Sequence, residues 1–302
     1  MVVIPADIDI DEEIAMSAIS NEFSLSVDSI KLLGEGWDNL VFLVNEAFVF
    51  RFSRRKVAIP LIEREIRVLA KVASKLPLAI PQPQYCSRGT EVYPHAFYGH
   101  RIIPGVTGCQ IDFQEDEYKA AASKLGMLLS VLHGVDLAEL RSVEDPMVPV
   151  FDRTDTKQMF ATFDQRFDSV CKTFLSLNTE TKISEIKNAA KNYRSDQSKS
   201  SLVHGDLYHR HLVFNGENKL TGVIDWGDCC ISDPVVDLGV VYQFLPLRVH
   251  THFWNAYGEV SLEARNYARF LGLYSAIALL WFGHDRGDKR LVDTALNTVD
   301  MI

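Results

Sequence analysis

The spacing of apolar residues predicts a short antiparallel β-meander followed by a long series of helices. Apolar and polar residues alternate over residues 29–52, which is the period of half-buried strands. Apolar residues recur at helical spacing near the N-terminus and again after the meander, and this pattern dominates the second half of the chain. The predicted helices span residues 11–19, 60–74, 117–133, 156–175, 183–193, 235–244, 250–257, 262–282 and 288–299.

Residues 202–238 interrupt the helices with a predicted β-hairpin, whose turn is the sequence Asn-Gly-Glu-Asn at 215–218. Asp206 precedes the first strand and Asp225 ends the second strand. Because a hairpin brings its outer ends together, Asp206, His211 and Asp225 are expected to share one cleft. Two carboxylates and an imidazole can bind a divalent metal and accept a proton. From the spacing alone, the alternative is that both aspartates only cap turns.

Composition narrows the class of protein. The chain has 302 residues, 47% of them hydrophobic, and a formal net charge of −9. An acidic chain lacks the basic face that binding to nucleic acid requires, so no nucleic-acid partner is expected. The N-terminal sequence has no basic region followed by a long apolar core, and no apolar run is long enough to span a bilayer. We therefore expect a cytoplasmic protein with no membrane partner; the first five residues of that sequence lie outside the residues that the structure describes.

Four sequence elements follow one another at fixed spacing in this stretch: His204-Gly205-Asp206-Leu207 with His211, then Ile224-Asp225-Trp226-Gly227-Asp228, then Ser232-Asp233-Pro234, then Asp237-Leu238. In order and spacing they resemble the aminoglycoside/macrolide phosphotransferase family. The resemblance implies an α+β fold of the bilobal protein-kinase-like type. Its β-rich N-terminal lobe, with the hinge, would comprise residues 1–105 and bind nucleotide. Its mainly helical C-terminal lobe, residues 106–302, would carry the catalytic loop and bind the acceptor.

The resemblance also assigns roles to the three residues of the hairpin. Asp206 is expected to be the catalytic base and Asp225 the main magnesium ligand. His211 stands where many family members carry an asparagine as the second metal ligand. Histidine at this place is also found in the macrolide and 2''-aminoglycoside branches of the family, so the difference points to a branch.

The nucleotide site is expected to begin in the meander. Gly34 and Gly36 lie between the first two strands, where a backbone without Cβ can approach a phosphate, although a plain turn explains them equally well. Arg51 ends the third strand, where this fold places the lysine that binds nucleotide phosphate. An arginine can pair with phosphate through two hydrogen bonds, with a different geometry. Glu65, on the following helix, matches the glutamate that pairs with this cation, and a solvated helix face is the alternative.

The run at residues 97–105 resembles the strand and hinge that join the two lobes. The backbone of Arg101 to Ile103 is expected to bind the edge of the purine. Backbone groups make that contact, so the sequence does not distinguish ATP from GTP.

The sequence as a whole therefore predicts a phosphotransferase that uses Mg²⁺ and moves the γ-phosphate of ATP or GTP to a hydroxyl of a small molecule. The acceptor expected first is an aminoglycoside or macrolide antibiotic, and the acidic net charge suits a cationic one. A metabolic kinase acting on a sugar or amino alcohol is the alternative enzyme. A nucleotide-binding pseudokinase is the alternative from a different class.

Overall fold

A five-stranded antiparallel sheet forms the N-terminal part of the chain, which the computed structural model describes over residues 6–141 and 145–302. The first three strands are the predicted meander, and the other two come after a helix. The spatial order is β1-β2-β3-β5-β4. The strands are β1 (Ile30–Glu35), β2 (Asn39–Val44), β3 (Phe48–Ser53), β4 (Tyr85–Ser87) and β5 (Phe97–Arg101).

Two helices accompany this sheet. Asp11 caps the N-terminus of helix α1 (Glu12–Glu22), because its carboxylate accepts a hydrogen bond of 2.8 Å from the Ile14 N–H. Helix α2 (Ile59–Val72) carries Pro60 in its first turn, where the missing N–H removes no helical hydrogen bond. The apolar face of α2 joins the core of the C-terminal part, so this helix connects the sheet to the rest of the molecule.

The remainder of the chain is mainly helical, which confirms the predicted α+β class. Its helices are α3 (Glu115–His133), α4 (Thr156–Phe174), α5 (Leu177–Ala190), α6 (Val235–Phe244), α7 (His250–Tyr257), α8 (Leu262–Arg286) and α9 (Lys289–Met301). Short strands form two small sheets: β6 (Val106–Thr107), β7 (Ser201–Val203), β8 (Leu212–Phe214), β9 (Leu220–Val223) and β10 (Cys230–Ser232). Among the described residues, no helix combines the length and apolarity needed to cross a membrane.

Several predicted helix boundaries differ from the structure by one to four residues, and the start of α5 differs by six. Helix α5 begins at Leu177 and not at residue 183, because Ser176 caps it by accepting from the Thr179 N–H, while its first turns are polar. The second strand of the predicted hairpin is β9, which begins at Leu220 and ends at Val223. Apolar spacing missed the start of α5 because its first turns are largely polar, and the prediction that Asp225 ends the second strand is wrong because β9 ends at Val223.

Helix α6 lies at the centre of the C-terminal core. Its sequence is apolar almost all round, and nine of its ten residues are buried. It packs against α8 at a pair of glycines, where a Cβ on Gly272 would lie 2.8 Å from the Gly239 carbonyl oxygen. This close contact fixes the position of α6 and therefore of Asp237, a buried acid in its first turn.

Gly105, at the exit of the fifth strand, provides a test of this fold. Its φ is +139°, and a Cβ there would lie 2.2 Å from the Phe214 carbonyl oxygen. We expect Gly105→Ala to lower the free energy of unfolding by on the order of 1–3 kcal/mol or more, measured by urea denaturation. Gly216→Ala is the matched control, because a Cβ there has no neighbour within 4 Å. Equal stability of the two variants would contradict the described path of the chain at Gly105.

Candidate active site

A buried carboxylate of α6 holds the loop between β7 and β8. Asp237 Oδ2 accepts from the His204 backbone N–H at 2.7 Å, and its Oδ1 accepts from the Gly205 N–H at 2.9 Å. The His133 imidazole lies 3.1 Å from Oδ2 through its Nε2. Burial raises the pKa of Asp237, but His133 and the backbone donors outweigh it, so the net pKa is lowered. The carboxylate is therefore charged and fixes the loop that ends in Asp206.

His211 links Asp206 to Asp225. Its Nδ1 donates to the Asp206 carbonyl oxygen at 2.8 Å, and its Nε2 lies 3.2 Å from Asp225 Oδ2. Burial lowers the pKa of the imidazole, but the Asp225 carboxylate more than compensates, so the pKa of His211 is raised. The structure thus brings the three residues of the predicted cleft together.

Asp225 follows β9 directly and has an unusual backbone. Its φ is +65°, a left-handed conformation that few residues other than glycine adopt. Asp and Asn tolerate this region better than most, and strained backbone is often found at functional sites. The conformation turns the chain sharply after β9, and the Asp225 carboxylate contacts both His211 and Arg51.

Arg51 lies between two acids. Its Nη2 donates to Asp225 Oδ1 at 2.8 Å, and its Nε is 3.2 Å from Glu65 Oε2. Burial raises the pKa of Glu65 against the opposing attraction of Arg51. Burial also raises the pKa of Asp225, but the attraction of Arg51 and His211 is the larger effect. The net pKa of Asp225 is therefore well below its usual range. The firmly charged partner of Arg51 is therefore Asp225.

A cavity of about 540 Å³ opens between the sheet and the helices beside this ion pair. Clefts of this size bind ligands such as nucleotides. Its wall is apolar on the sheet side and polar near Arg51 and Asp225. The lining includes Leu33, Val41, Val49, Arg51, Tyr98, His100, Ile102, Ile103, Tyr208, Asp225, Leu279, Arg290 and Leu291.

Not all of the other residues predicted to contact nucleotide line the cavity. Ile103 lines the cavity, whereas the Arg101 side chain lies over the Phe48 ring, 5.2 Å from its centroid. Gly34 is not between the strands as predicted but in β1, where it pairs with Val41, whereas Gly36 is in the turn between β1 and β2; a Cβ on either would have no neighbour closer than 3.5 Å. Contacts within the described chain do not explain these glycines, so their role toward nucleotide stays a prediction.

Arg153 was not found by sequence reasoning. Its Nη2 lies 3.0 Å from Asp206 Oδ1 and 3.5 Å from Asp228 Oδ2. This residue precedes α4 and is 53 positions before Asp206. No motif marks it, because its position depends on tertiary packing: the Tyr267 hydroxyl donates to its carbonyl oxygen at 2.8 Å. Arg210, which is adjacent in sequence to the catalytic loop, is exposed.

Asp225 and His211 are the residues whose geometry suits a divalent cation. His211 Nδ1 donates to a carbonyl oxygen, so Nε2 is the ring nitrogen that faces Asp225 Oδ2. A proton or a metal ion can lie between these two atoms. Within the described ranges, no group of three or more His, Cys, Asp or Glu side chains could hold a metal. Magnesium is usually held by one or two carboxylates together with substrate phosphates and water, which Asp225 fits, whereas the His211 imidazole is a softer ligand.

Comparison with known families and proteins agrees with this geometry. The model of the phosphotransferase enzyme family (APH) matches residues 29–273. The uncharacterized protein YcbJ of Bacillus subtilis (strain 168) is 24% identical over 249 residues, which cover 76% of this chain and 75% of YcbJ. The resemblance stated from the motifs is confirmed.

Solved structures show the same fold. A GDP and kanamycin complex of APH(2")-IIIa superposes with a TM-score of 0.71 at 21% identity, over 95% of this chain and 97% of that chain. The macrolide 2'-phosphotransferase MphH from Brachybacterium faecium gives 0.59 at 19% identity, over 91% and 94%. The streptomycin and ATP complex of APH(2")-IIa gives 0.62 at 21% identity, over 97% of each. The predicted protein-kinase-like fold, with a β-rich N-terminal part and a helical C-terminal part, is confirmed.

Asp237→Asn tests the support of the catalytic loop. The N–H groups of His204 and Gly205 bind different oxygens of the carboxylate, so in the amide one of them would face an NH₂ group, which is itself a donor. We expect unfolding free energy to fall by on the order of 1–3 kcal/mol at neutral pH. Because the pKa of Asp237 is lowered on folding, the difference should shrink as pH falls through the usual aspartate range near 3.8.

The control is Asp116→Asn on α3, whose side chain is 95% exposed. Denaturation of both variants across pH 3–7 measures the effect. If Asp237→Asn were no less stable than the control at neutral pH, Asp237 would not hold the loop.

Proposed function

Because the chain belongs to the phosphotransferase enzyme family, we propose that it transfers the γ-phosphate of ATP or GTP to a hydroxyl of a small molecule. One observation carries the proposal: Asp206, His211, Asp225 and Arg51 form a connected chain of contacts beside the cavity. Phosphoryl transfer demands positioning and charge neutralisation more than covalent chemistry, and these four groups supply both.

Asp206 is proposed as the base. Its described ion pair with Arg153 uses Oδ1, which leaves Oδ2 for the acceptor hydroxyl. As the acceptor oxygen bonds to the γ-phosphorus, its proton passes to Asp206. The bond from that phosphorus to the bridging oxygen breaks, and the nucleoside diphosphate leaves. A base at hydrogen-bond distance both orients the hydroxyl and removes its proton.

Asp225 and His211 are proposed to hold the magnesium ion. When bound, the ion neutralises charge on the phosphate oxygens. Arg51 adds a fixed positive charge at the same edge of the cavity, and Glu65 holds its side chain from the opposite side. The half-exposed Asp225 carboxylate can therefore exchange partners while Arg51 stays in place.

The acceptor class is a further part of the proposal. Aminoglycoside and macrolide antibiotics remain candidates because the similar structures include complexes with kanamycin and streptomycin and a macrolide phosphotransferase. A sugar or an amino alcohol is the second candidate.

Asp206→Asn tests the proposed function. The substitution preserves shape but removes basicity, so the rate of phosphoryl transfer should fall by about 10²–10⁴-fold. Affinity for the magnesium–nucleotide complex should change little, because the proposed metal ligands are Asp225 and His211. Single-turnover transfer to an acceptor found by a coupled ADP/GDP assay is measured beside nucleotide affinity by calorimetry.

The exposed substitution Asp116→Asn again serves as the control and should retain full transfer. Near-normal transfer by folded Asp206→Asn protein would remove Asp206 from the mechanism. Failure of the wild-type protein to bind nucleotide in the presence of magnesium would refute the proposed function itself.

A further inference from the structure

Asp145 connects helix α2 to the C-terminal part of the molecule. The Arg64 guanidinium, on α2, donates to both carboxylate oxygens: Nη2 to Oδ1 at 2.8 Å and Nε to Oδ2 at 2.9 Å. Arg67, one turn further along α2, also donates to Oδ2. A guanidinium with two parallel hydrogen bonds to a carboxylate fixes the orientation of both groups. Asp145 therefore holds α2 at two points, and one of them is directional.

These charges are more shielded from water than those of a surface ion pair. The side chain of Arg64 is 10% exposed and that of Asp145 is 16% exposed. Burial raises the pKa of Asp145, but the hydrogen bonds from Arg64 and Arg67 are the larger effect, so its pKa is lowered to about 2. The carboxylate is therefore charged at neutral pH. Exposed ion pairs contribute little, whereas removal of one partner from a shielded pair is costly.

The chain around Asp145 is itself fixed in the core. Met147 is fully buried, and its carbonyl oxygen accepts from the Ile231 N–H of β10 at 2.8 Å. The φ of Met147 is +64°, a conformation that costs energy in methionine and persists where the surroundings determine it. The Met147 N–H donates to Asp145 Oδ1 at 2.8 Å, and Arg64 Nη1 donates to the Val148 carbonyl oxygen at 3.0 Å. The position of α2 is therefore tied to that of β10.

The residue that follows Arg64 on α2 is Glu65, which contacts Arg51. The Glu65 side chain is completely buried, and its Oε2 lies 3.2 Å from Arg51 Nε. Water does not reach Glu65 to replace a lost partner, so this contact depends on the position of α2. Arg51 also donates to Asp225 at the edge of the cavity. A shift of α2 would therefore move the support of the Arg51 guanidinium beside the cavity.

Apolar packing holds α2 as well, through buried residues that include Ile62, Val68 and Leu69. The hydrophobic effect is non-directional, whereas the two hydrogen bonds between Arg64 and Asp145 fix an orientation. Rotation of a helix moves the residue beside Arg64 by the same angle. The ion pair therefore determines which way Glu65 is directed more sharply than the apolar face does.

We propose that Asp145 is a positioning residue for nucleotide binding, because it holds α2 where Glu65 supports Arg51 beside the nucleotide phosphates. The inference rests on the proposed function, which places those phosphates at the edge of the cavity near Arg51. Asp145 is not among the described residues that line the cavity, whereas Arg51 is. The effect of Asp145 on the nucleotide is therefore indirect and passes through α2.

Asp145→Asn tests this role. The amide keeps the shape of the side chain, but one of its two arms only donates, so the paired hydrogen bonds with Arg64 are broken. The Kd and KM of the magnesium–nucleotide complex should rise by roughly 2- to 30-fold, the range for residues that act on a ligand without contact. The KM of the acceptor should change little. Calorimetry measures the Kd, and the coupled ADP/GDP assay measures both KM values.

Two further variants bracket that result. Arg64→Lys keeps the positive charge but not the planar fork, so nucleotide affinity should fall less than in Asp145→Asn. Asp164→Asn is the control, because it removes an ion pair with Lys187 that joins α4 to α5. It should leave the nucleotide Kd unchanged.

A double-mutant cycle with Arg51→Gln separates positioning from a general loss of stability. Arg51→Gln removes the cation that α2 supports, so adding Asp145→Asn should cause little further loss of nucleotide affinity. The unfolding free energies of the same four proteins give a second cycle, which requires no nucleotide. In that cycle, the loss caused by Arg51→Gln should be smaller when Asp145→Asn is already present.

Unchanged nucleotide affinity of folded Asp145→Asn protein would overturn the inference and leave the proposed phosphotransfer intact. Equal weakening with Arg51 and with Arg51→Gln would do the same. If the wild-type protein bound no nucleotide, the proposed function would be refuted, and the unfolding cycle would still decide the link: additive losses would overturn it. If Asp145→Asn failed to fold, Arg64→Lys would replace it in both cycles.

Discussion

The cleft depends on a line of alternating charges, Glu65, Arg51, Asp225 and His211, that crosses from the sheet to the hairpin loop. Arg51 is on β3 and Asp225 follows β9, so their ion pair joins the two parts of the molecule at the edge of the cavity. Glu65 is fully buried, which raises its pKa, and the Arg51 side chain is 12% exposed, so the Arg51 charge is balanced mainly by Asp225 and not by water. Buried charges of this kind are tolerated because each has a partner, and removal of one partner is strongly destabilising.

In this arrangement, more than one cation can balance the negative charge of Asp225. The Asp225 carboxylate lies between two cations, Arg51 and an imidazole whose pKa is raised. Asp225 and His211 would hold a divalent cation, which would supply positive charge where the imidazole proton now supplies it. The left-handed backbone of Asp225 holds its carboxylate within reach of both Arg51 and His211. The buried Asp237 carboxylate fixes the loop that carries Asp206, because it accepts hydrogen bonds from two backbone N–H groups of that loop.

Much of this could be predicted because the relevant residues are close in sequence. Asp206, His211 and Asp225 belong to one hairpin, and the geometry of a hairpin brings its ends together without any knowledge of the remaining fold. Arg51 and Glu65 could be named because the motif resemblance implies where a kinase-like fold places a strand cation and its helix partner. The boundaries of α5 and β9 were less accurate because caps and turns, and not apolar spacing, determine them.

Arg153 could not be predicted, for a physical reason. Its contact with Asp206 depends on the packing of α8 against α4, and the Tyr267 hydroxyl anchors its backbone across 114 residues. Neither its neighbours in sequence nor any regular spacing carries that information. The overall acidic charge suggested a cationic acceptor, whereas the local charge beside Asp206 includes the Arg153 guanidinium. Net charge describes the whole surface, and specificity depends on the few groups that face the ligand.

We propose that Asp225, paired with Arg51, couples the binding of magnesium to the binding of nucleotide. The most direct measurement is calorimetric nucleotide affinity with magnesium and with EDTA, for the wild-type protein and for Asp225→Asn. The account predicts that magnesium strengthens nucleotide binding to the wild-type protein by roughly tenfold or more, about 1.4 kcal/mol, and that Asp225→Asn abolishes this gain. A folded Asp225→Asn protein that retained the full magnesium dependence would contradict the account.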